Sequence, residues 1–274
     1  MDLILAVVII VASSAVAIGA MLLVRRHAPD GSYFNDGDRA AGVFGVLATG
    51  FAVMLGFVVF LAFESYDSAR SGAEAEALIV AQQIETAEFL PVSVRGELVG
   101  ELVCYARSVA GVQWERMENG TLGEQLNPFA ADMFRTMQTV EPVSAAETSA
   151  YDRWHEQTSA REEARSERIH GAVGVIPTPL WIVLFLTAVL IFVFLLFFAD
   201  SGEPAVVQAM LMGSVVAVLT AAMLLLAALD HPFRDGIGGL RPVAMERTLQ
   251  IIDEELAVAR TQVTLPCDLS GNRL

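Results

Sequence analysis

Four stretches of this chain, 3–24, 41–63, 178–199 and 206–229, contain no Asp, Glu, Lys or Arg. At 1.5 Å of rise per residue, a helix of each length crosses a hydrocarbon layer of about 30 Å. The first stretch begins after Met1-Asp2, with no positive charge ahead of it and an apolar run too long for a cleaved signal. It therefore reads as a retained helix. The expected fold is all-α: a polytopic membrane protein with four transmembrane helices in contact with the lipid bilayer.

Composition agrees. Hydrophobic residues make up 54% of the chain and charged ones only 18%, which excludes an ordinary soluble enzyme and a disordered tail. The net charge is -15, the wrong sign for neutralising phosphates, so no nucleic-acid partner is expected. Cys104 and Cys267 match neither a disulfide framework nor a metal knuckle.

Between the spans the organisation is uneven. Residues 1–63 form a hairpin of spans with a short loop containing Pro29, Asp30 and Gly31, and 178–229 form a second hairpin turning at 200–204. Residues 64–177 are a polar insert with helical apolar periods. Val94, Leu98, Leu102, Tyr105, Val109 and Val112 share one face, as do Phe129, Met133, Met137 and Val140. Pro91, Gly120 and Pro142 separate these helices, and only Gly72 interrupts 64–89, so the second span is expected to continue as one long helix. Arg161, Arg165 and Arg168 alternate with Glu162, Glu163 and Glu167, which reads as a solvated face with intrahelical pairs. Residues 230–274 start with a glycine-containing loop. Pro242 then opens a helix whose stripe (Met245, Leu249, Ile252, Leu256, Ala259, Val263) needs a partner, either the insert or that of a neighbouring subunit.

Arginines near the spans bear on orientation. Arg70, Arg161, Arg165, Arg168, Arg234, Arg241 and Arg247 lie on the side of the insert, against Arg25, Arg26 and Arg39 on the other. The balance places the insert and both termini in the cytoplasm, although Arg25 and Arg26 abut the first span and argue the other way.

Enzymatic signatures are lacking. There is no phosphate-cradling loop, no nucleophile elbow and no Cys/His constellation, so neither a catalytic residue nor a cofactor is expected. His155 and His170 are about four turns apart, too far to share one metal ion. His231 reads as a cap or interface residue. A coupled transporter is disfavoured because no span carries an ionisable group.

The punctuation of the chain resembles the bestrophin-like membrane proteins of bacteria. The resemblance covers Glu74-Ala75-Glu76-Ala77-Leu78, Leu90-Pro91, Arg95, Tyr105 and Trp114. It continues through Ile176-Pro177, Trp181, Asp230, Pro232-Phe233 and the glycines from Gly236. A bacterial plasma-membrane location follows from it. A more distant resemblance to true bestrophins implies a pentameric homo-oligomer conducting inorganic anions such as chloride, with the second helix lining the pore. Bestrophins of animals bind calcium beside a Pro-Phe-Gly motif followed by acidic residues. Here Arg234 and a single Asp235 follow Phe233, too few oxygens for calcium.

The second span offers two faces to such a pore. Gly42, Gly45, Thr49, Ala52 and Gly56 form a small-residue stripe, whose simplest role is close helix packing, while Phe44, Phe51 and Val58 recur on the opposite face as a hydrophobic constriction. Gly213, Ala217 and Ala221 make a second small stripe, again a packing seam. Asp230, Pro232 and Phe233 are expected to shape the cytoplasmic end or a neighbouring-subunit contact. Residues 65–176 carry 9 Arg against 18 Asp plus Glu, a sign that repels anions unless arginines line the path. The alternative function is a non-conducting scaffold or regulatory membrane protein that binds a partner through this acidic module.

Overall fold

The computed structural model describes residues 2–30, 32–121, 127–236, 238–259 and 263–274, with the backbone alone at 258 and 259. Gly31 of the first loop, Ile237 of the glycine-containing loop and the side chain of Ala259 lie outside the described residues. Among those described, the chain is all-α: α1 (Leu3–Arg25), α2 (Gly37–Ala87), α3 (Val92–Ser108), a π-helical turn (Val109–Gln113), α4 (Trp114–Glu118), α5 (Pro128–Met137), α6 (Ala145–His170), α7 (Thr178–Leu196), α8 (Ala205–Asp230) and α9 (Val243–Ala259). Contacts divide the chain into two compact units, 1–64 with 174–230 and 235–238, and 65–173 with 231–234 and 239–274. The 51-residue helix α2 contributes to both.

The first unit holds the four helices long and apolar enough to cross a membrane, in α1, α2, α7 and α8. Helices α1 and α8 approach closely at Gly213, where an added Cβ would stand 3.0 Å from Ile18. Ser13 and Thr220 share a hydrogen bond of 3.0 Å there, and Ala17, Met21 and Met212 fill the seam. Gly213 therefore packs as its stripe implies, but Ala221 is exposed, so the stripe leaves the seam before α8 ends. A second core joins Phe51, Leu55, Val58 and Ala62 of α2 to Leu184 and Ile191 of α7 and Met223 and Leu226 of α8. Arg25 closes the far loop by donating to the carbonyls of Asp200 (3.1 Å), Ser201 (3.0 Å) and Glu203. That local task accounts for a cation beside the first span without reference to orientation.

The second unit is built by strong local signals. Ser144 and Glu147 form a reciprocal capping box at the start of α6, and the Asn127 side chain caps α5 ahead of Pro128. Helix α3 follows Pro91. Val94, Leu98, Leu102, Tyr105 and Val109 are buried together with Phe129, Met133, Met137 and Val140. Val112 departs from its stripe: the extra residue of the π turn rotates the register, so Gln113 and Trp114 point inward and Val112 is only half-buried. The partner of α9 is the insert of its own subunit, since Met245 and Ile252 join that core and Thr248 donates to the Ala77 carbonyl at 3.3 Å. Gly72 does not break α2. It marks a crossing with α6, where an added Cβ would meet the Ala164 carbonyl oxygen and the Arg168 nitrogen at 2.7 Å.

Two expectations are overturned here. Arg161 and Arg168 are fully buried, not solvated. Arg165 makes the anticipated intrahelical pair, to Glu162 at 3.4 Å, and the buried Arg161 also reaches Glu162, at 3.7 Å. Helix α6 turns Ala150, Trp154, Gln157, Arg161, Ala164 and Arg168 inward at alternating spacings of four and three, a regular helical stripe concealed by its polar members. The cysteines are not separate either. Cys104 on α3 and Cys267 in the C-terminal segment form a disulfide across 163 residues of sequence, with Cα atoms 5.7 Å apart. A pair so distant in sequence leaves no spacing signature; the fold alone brings the two together.

Candidate functional site

The two faces of helix α2 singled out in the sequence have different surroundings. The aromatic face turns into the protomer. Phe51 and Val58 are buried in the core shared with α7 and α8, and Phe44 packs against Phe194 and Phe198 at centroid distances of 5.8 and 5.9 Å. A side chain engaged in the subunit's own core cannot line an axis outside it, so this face is a packing face.

The small-residue face is open. Gly42, Gly45, Thr49, Ala52 and Gly56 are all exposed, and nothing stands within 4 Å of a Cβ placed at Gly42, Gly45 or Gly56. The close packing foreseen for this stripe is not met within one protomer. Beside it, and farthest from the buried face, lie Val46 (76% exposed), Val53 (69%), Phe57 (64%) and Phe60 (61%). Their spacings of seven, four and three keep them on one side of the helix. Sequence reasoning passed over these four because a span rich in Val and Phe shows no periodicity until the core has selected one side.

The residues after the fourth span divide between the two units. Asp230, the last residue of α8, is buried, and its carboxylate accepts from the Ile176 backbone N–H at 2.9 Å and from Trp181 Nε1–H at 3.2 Å. It joins the end of α8 to the start of α7, and Trp181 spends its indole N–H on this internal bond. In the second unit Phe233 is buried edge-on against Trp114, with centroids 5.1 Å apart. Trp114 Nε1–H donates to the Leu240 carbonyl at 3.3 Å, and the Leu240 N–H donates to the Pro232 carbonyl at 2.7 Å. Asp230, Pro232 and Phe233 thus brace their own subunit.

Where α2 runs through the second unit it carries a buried charge network. Glu76 and Arg168 form an ion pair with both side chains fully buried. Arg168 donates through Nε to Glu76 Oε2 and through Nη2 to Glu76 Oε1 at 3.1 Å and Gln113 Oε1 at 3.3 Å. Tyr105 donates its hydroxyl to Glu76 Oε1 at 2.6 Å. Arg161 lies over the Tyr105 ring, 4.6 Å from its centroid, and donates to Gln83 Oε1 at 2.8 Å. Burial and the adjacent Glu76 charge push the Tyr105 hydroxyl well above its usual range, so it remains a donor. Burial alone would lower Arg168, but the charge of Glu76 and its hydrogen bond outweigh that and raise it. Four elements, α2, α3, the π turn and α6, are fixed by this network.

The family model for the bestrophin-like domain matches residues 11–242. A crystal structure of a bacterial bestrophin homolog from Klebsiella pneumoniae superposes with a TM-score of 0.67 at 16% identity, covering 92% of this chain and 99% of that one. A second structure of that homolog, carrying a point substitution, gives 0.66 at 17%, with 92% and 98% covered. A structure described as a membrane protein gives 0.67 at 14%, with 92% and 99% covered. At these identities the likeness is one of fold. No curated protein matches the chain.

Proposed function

Because the chain belongs to the bestrophin-like family, we propose that it is a passive ion-channel subunit, with α2 from each of several copies ringed about the pore. Four apolar helices of one chain leave no aqueous path through themselves, so conduction requires a homo-oligomer, and a pentamer is the ring favoured by the resemblance to bestrophins. The observation that carries this reading is the free side of α2. It bears no charge within the span, it is unpacked in the protomer, and it sets a small-residue stripe beside large apolar side chains. In a ring, the stripe of Gly45, Thr49, Ala52 and Gly56 admits a neighbouring helix closely. Val46, Val53, Phe57 and Phe60 then turn toward the axis as a hydrophobic neck that gates by dewetting.

The permeant species are small inorganic ions, anions by the resemblance. The membrane is the bacterial plasma membrane, with the helical module and both termini in the cytoplasm. The subunit count of the intact protein in mild detergent, by native mass, tests the reading. A ring of five agrees with it. A stable monomer or dimer overturns it and favours a scaffold that binds a partner through the acidic module.

A further inference from the structure

The C-terminal segment 263–274 forms a strap along α3, and α3 is shaped to receive it. Gly100, Cys104 and Gly111 fall on the side that faces the strap. A Cβ at Gly100 would stand 2.5 Å from the Thr264 carbonyl oxygen, and one at Gly111 would stand 2.7 Å from that of Ser270. Gly271 approaches the helix in turn, with φ +79 and its own added Cβ only 2.2 Å from the Ser108 nitrogen. The strap ends in a turn organised by Asp268. Its carboxylate accepts from the Ser270 and Asn272 amides at 2.9 and 2.8 Å, while the Leu274 N–H returns to the Pro266 carbonyl at 3.1 Å.

Besides the disulfide, the strap is held by half-buried Val263 and Leu265, which pack against the core of the module. Of its residues only Cys267 and Gly271 are buried, and Leu269 and Leu274 are 86% and 85% exposed. Its salt bridge, Arg273 to Asp132 at 3.4 Å, reaches a carboxylate already paired with Arg135. With the arginine half-exposed and the carboxylate shared, this pair holds the strap only weakly. The strap forms one wall of an open cavity of about 740 Å³, lined by Glu97, Glu101, Asp132 and Thr136 and by Thr264 and Arg273 of the strap itself. Glu101 Oε2 is buried there with no hydrogen-bond partner among the described residues.

We propose that Cys104 and Cys267 are a reversible thiol–disulfide site that fastens the C-terminal strap as a wall of this acidic cavity. A dithiol reductant attacks the disulfide, passes through a mixed disulfide and leaves as its own cyclic or intramolecular disulfide. Two electrons and two protons move to the pair, giving two thiols. With the cross-link gone, half-buried Val263 and Leu265 are the strap's remaining apolar anchors; its end from Cys267 onward comes free, and the cavity loses that wall. In a reducing compartment the strap stands released, and a small-molecule or protein disulfide fastens it by the same exchange in reverse, taking up the two electrons and two protons; in an oxidising one a dithiol releases it. The inference rests on contacts within the module and does not depend on conduction.

Hydrogen exchange of the full-length protein, oxidised and after dithiothreitol, reads the strap directly. Thiol alkylation and intact mass report the redox state. On reduction, exchange at Gly271, Asn272 and Leu274 should rise by about tenfold or more, while the α3 amides from Val99 to Val103 stay protected. Cys267→Ser should match the reduced protein without reductant. Strap amides that remain protected after full reduction, or a disulfide that yields only when α3 also loses protection, would overturn the proposal and leave a static cross-link.

Discussion

Arg168→Met puts the buried network to a quantitative test. The substitution keeps most of the side chain's length and removes the guanidinium that donates to both oxygens of Glu76. What remains around the Glu76 carboxylate is the Tyr105 hydroxyl. Breaking one partner of a buried pair costs about 3–5 kcal/mol. Glu76→Gln should cost a comparable amount, because it leaves the buried guanidinium without its charged partner. The double variant should recover most of the loss. Thermal melting of the full chain in detergent at pH 7 is the assay, and the Arg168→Met shift should be on the order of 10 °C. A shift below roughly 2 °C, or a double variant no more stable than either single one, would refute the picture of a dry ion pair that fixes four elements.

Other perturbations follow from single contacts. Burial pushes the Glu101 carboxyl up to about 7, reinforced by Glu97 and Asp132 and opposed by its Thr136 hydrogen bond and by Arg135. The folded state therefore binds the proton that the unfolded state releases, and stability should fall between about pH 4.5 and 7. Glu101→Gln should remove that decline, raising the melting temperature at pH 8 and leaving it nearly unchanged at pH 4.5. Gly72→Ala forces a methyl against the α6 backbone and should cost about 1–3 kcal/mol by the same melting assay. Asp230→Ala leaves the Ile176 N–H and the Trp181 indole N–H without their acceptor and should cost about 2–3 kcal/mol, with a visible change in tryptophan fluorescence. Phe51→Ala should destabilise the protein by about 3–5 kcal/mol through a core cavity.

The four spans and the apolar stripes of α3 and α5 were legible because charge-free length and apolar period are local properties. Signals that depend on distant partners were not. The residues that carry the family resemblance prove to be each other's contacts: Glu76 with Tyr105, Trp114 with Phe233, and Ile176 and Trp181 with Asp230. Their pairing could not be read from spacing, since 29, 119, 54 and 49 positions separate them. Arg161 and Arg168 looked solvated because charge type outweighed a regular stripe of period 3.6 that also contains Trp154 and Ala164. A Trp on the same face as an Arg seven positions later was the available clue. On α2 the composition is apolar all round, so only the packing of Phe51, Leu55 and Val58 against α7 and α8 distinguishes the inner side from the outer.

Halide flux through the protein reconstituted in vesicles, compared among wild type, Val53→Ala, Phe60→Ala and Phe51→Ala, bears most directly on the pore. The account predicts flux above that of empty vesicles, a several-fold increase for Val53→Ala and Phe60→Ala where a neck is widened, and no increase for Phe51→Ala. Absence of flux in all four proteins, or an increase confined to Phe51→Ala, would contradict it.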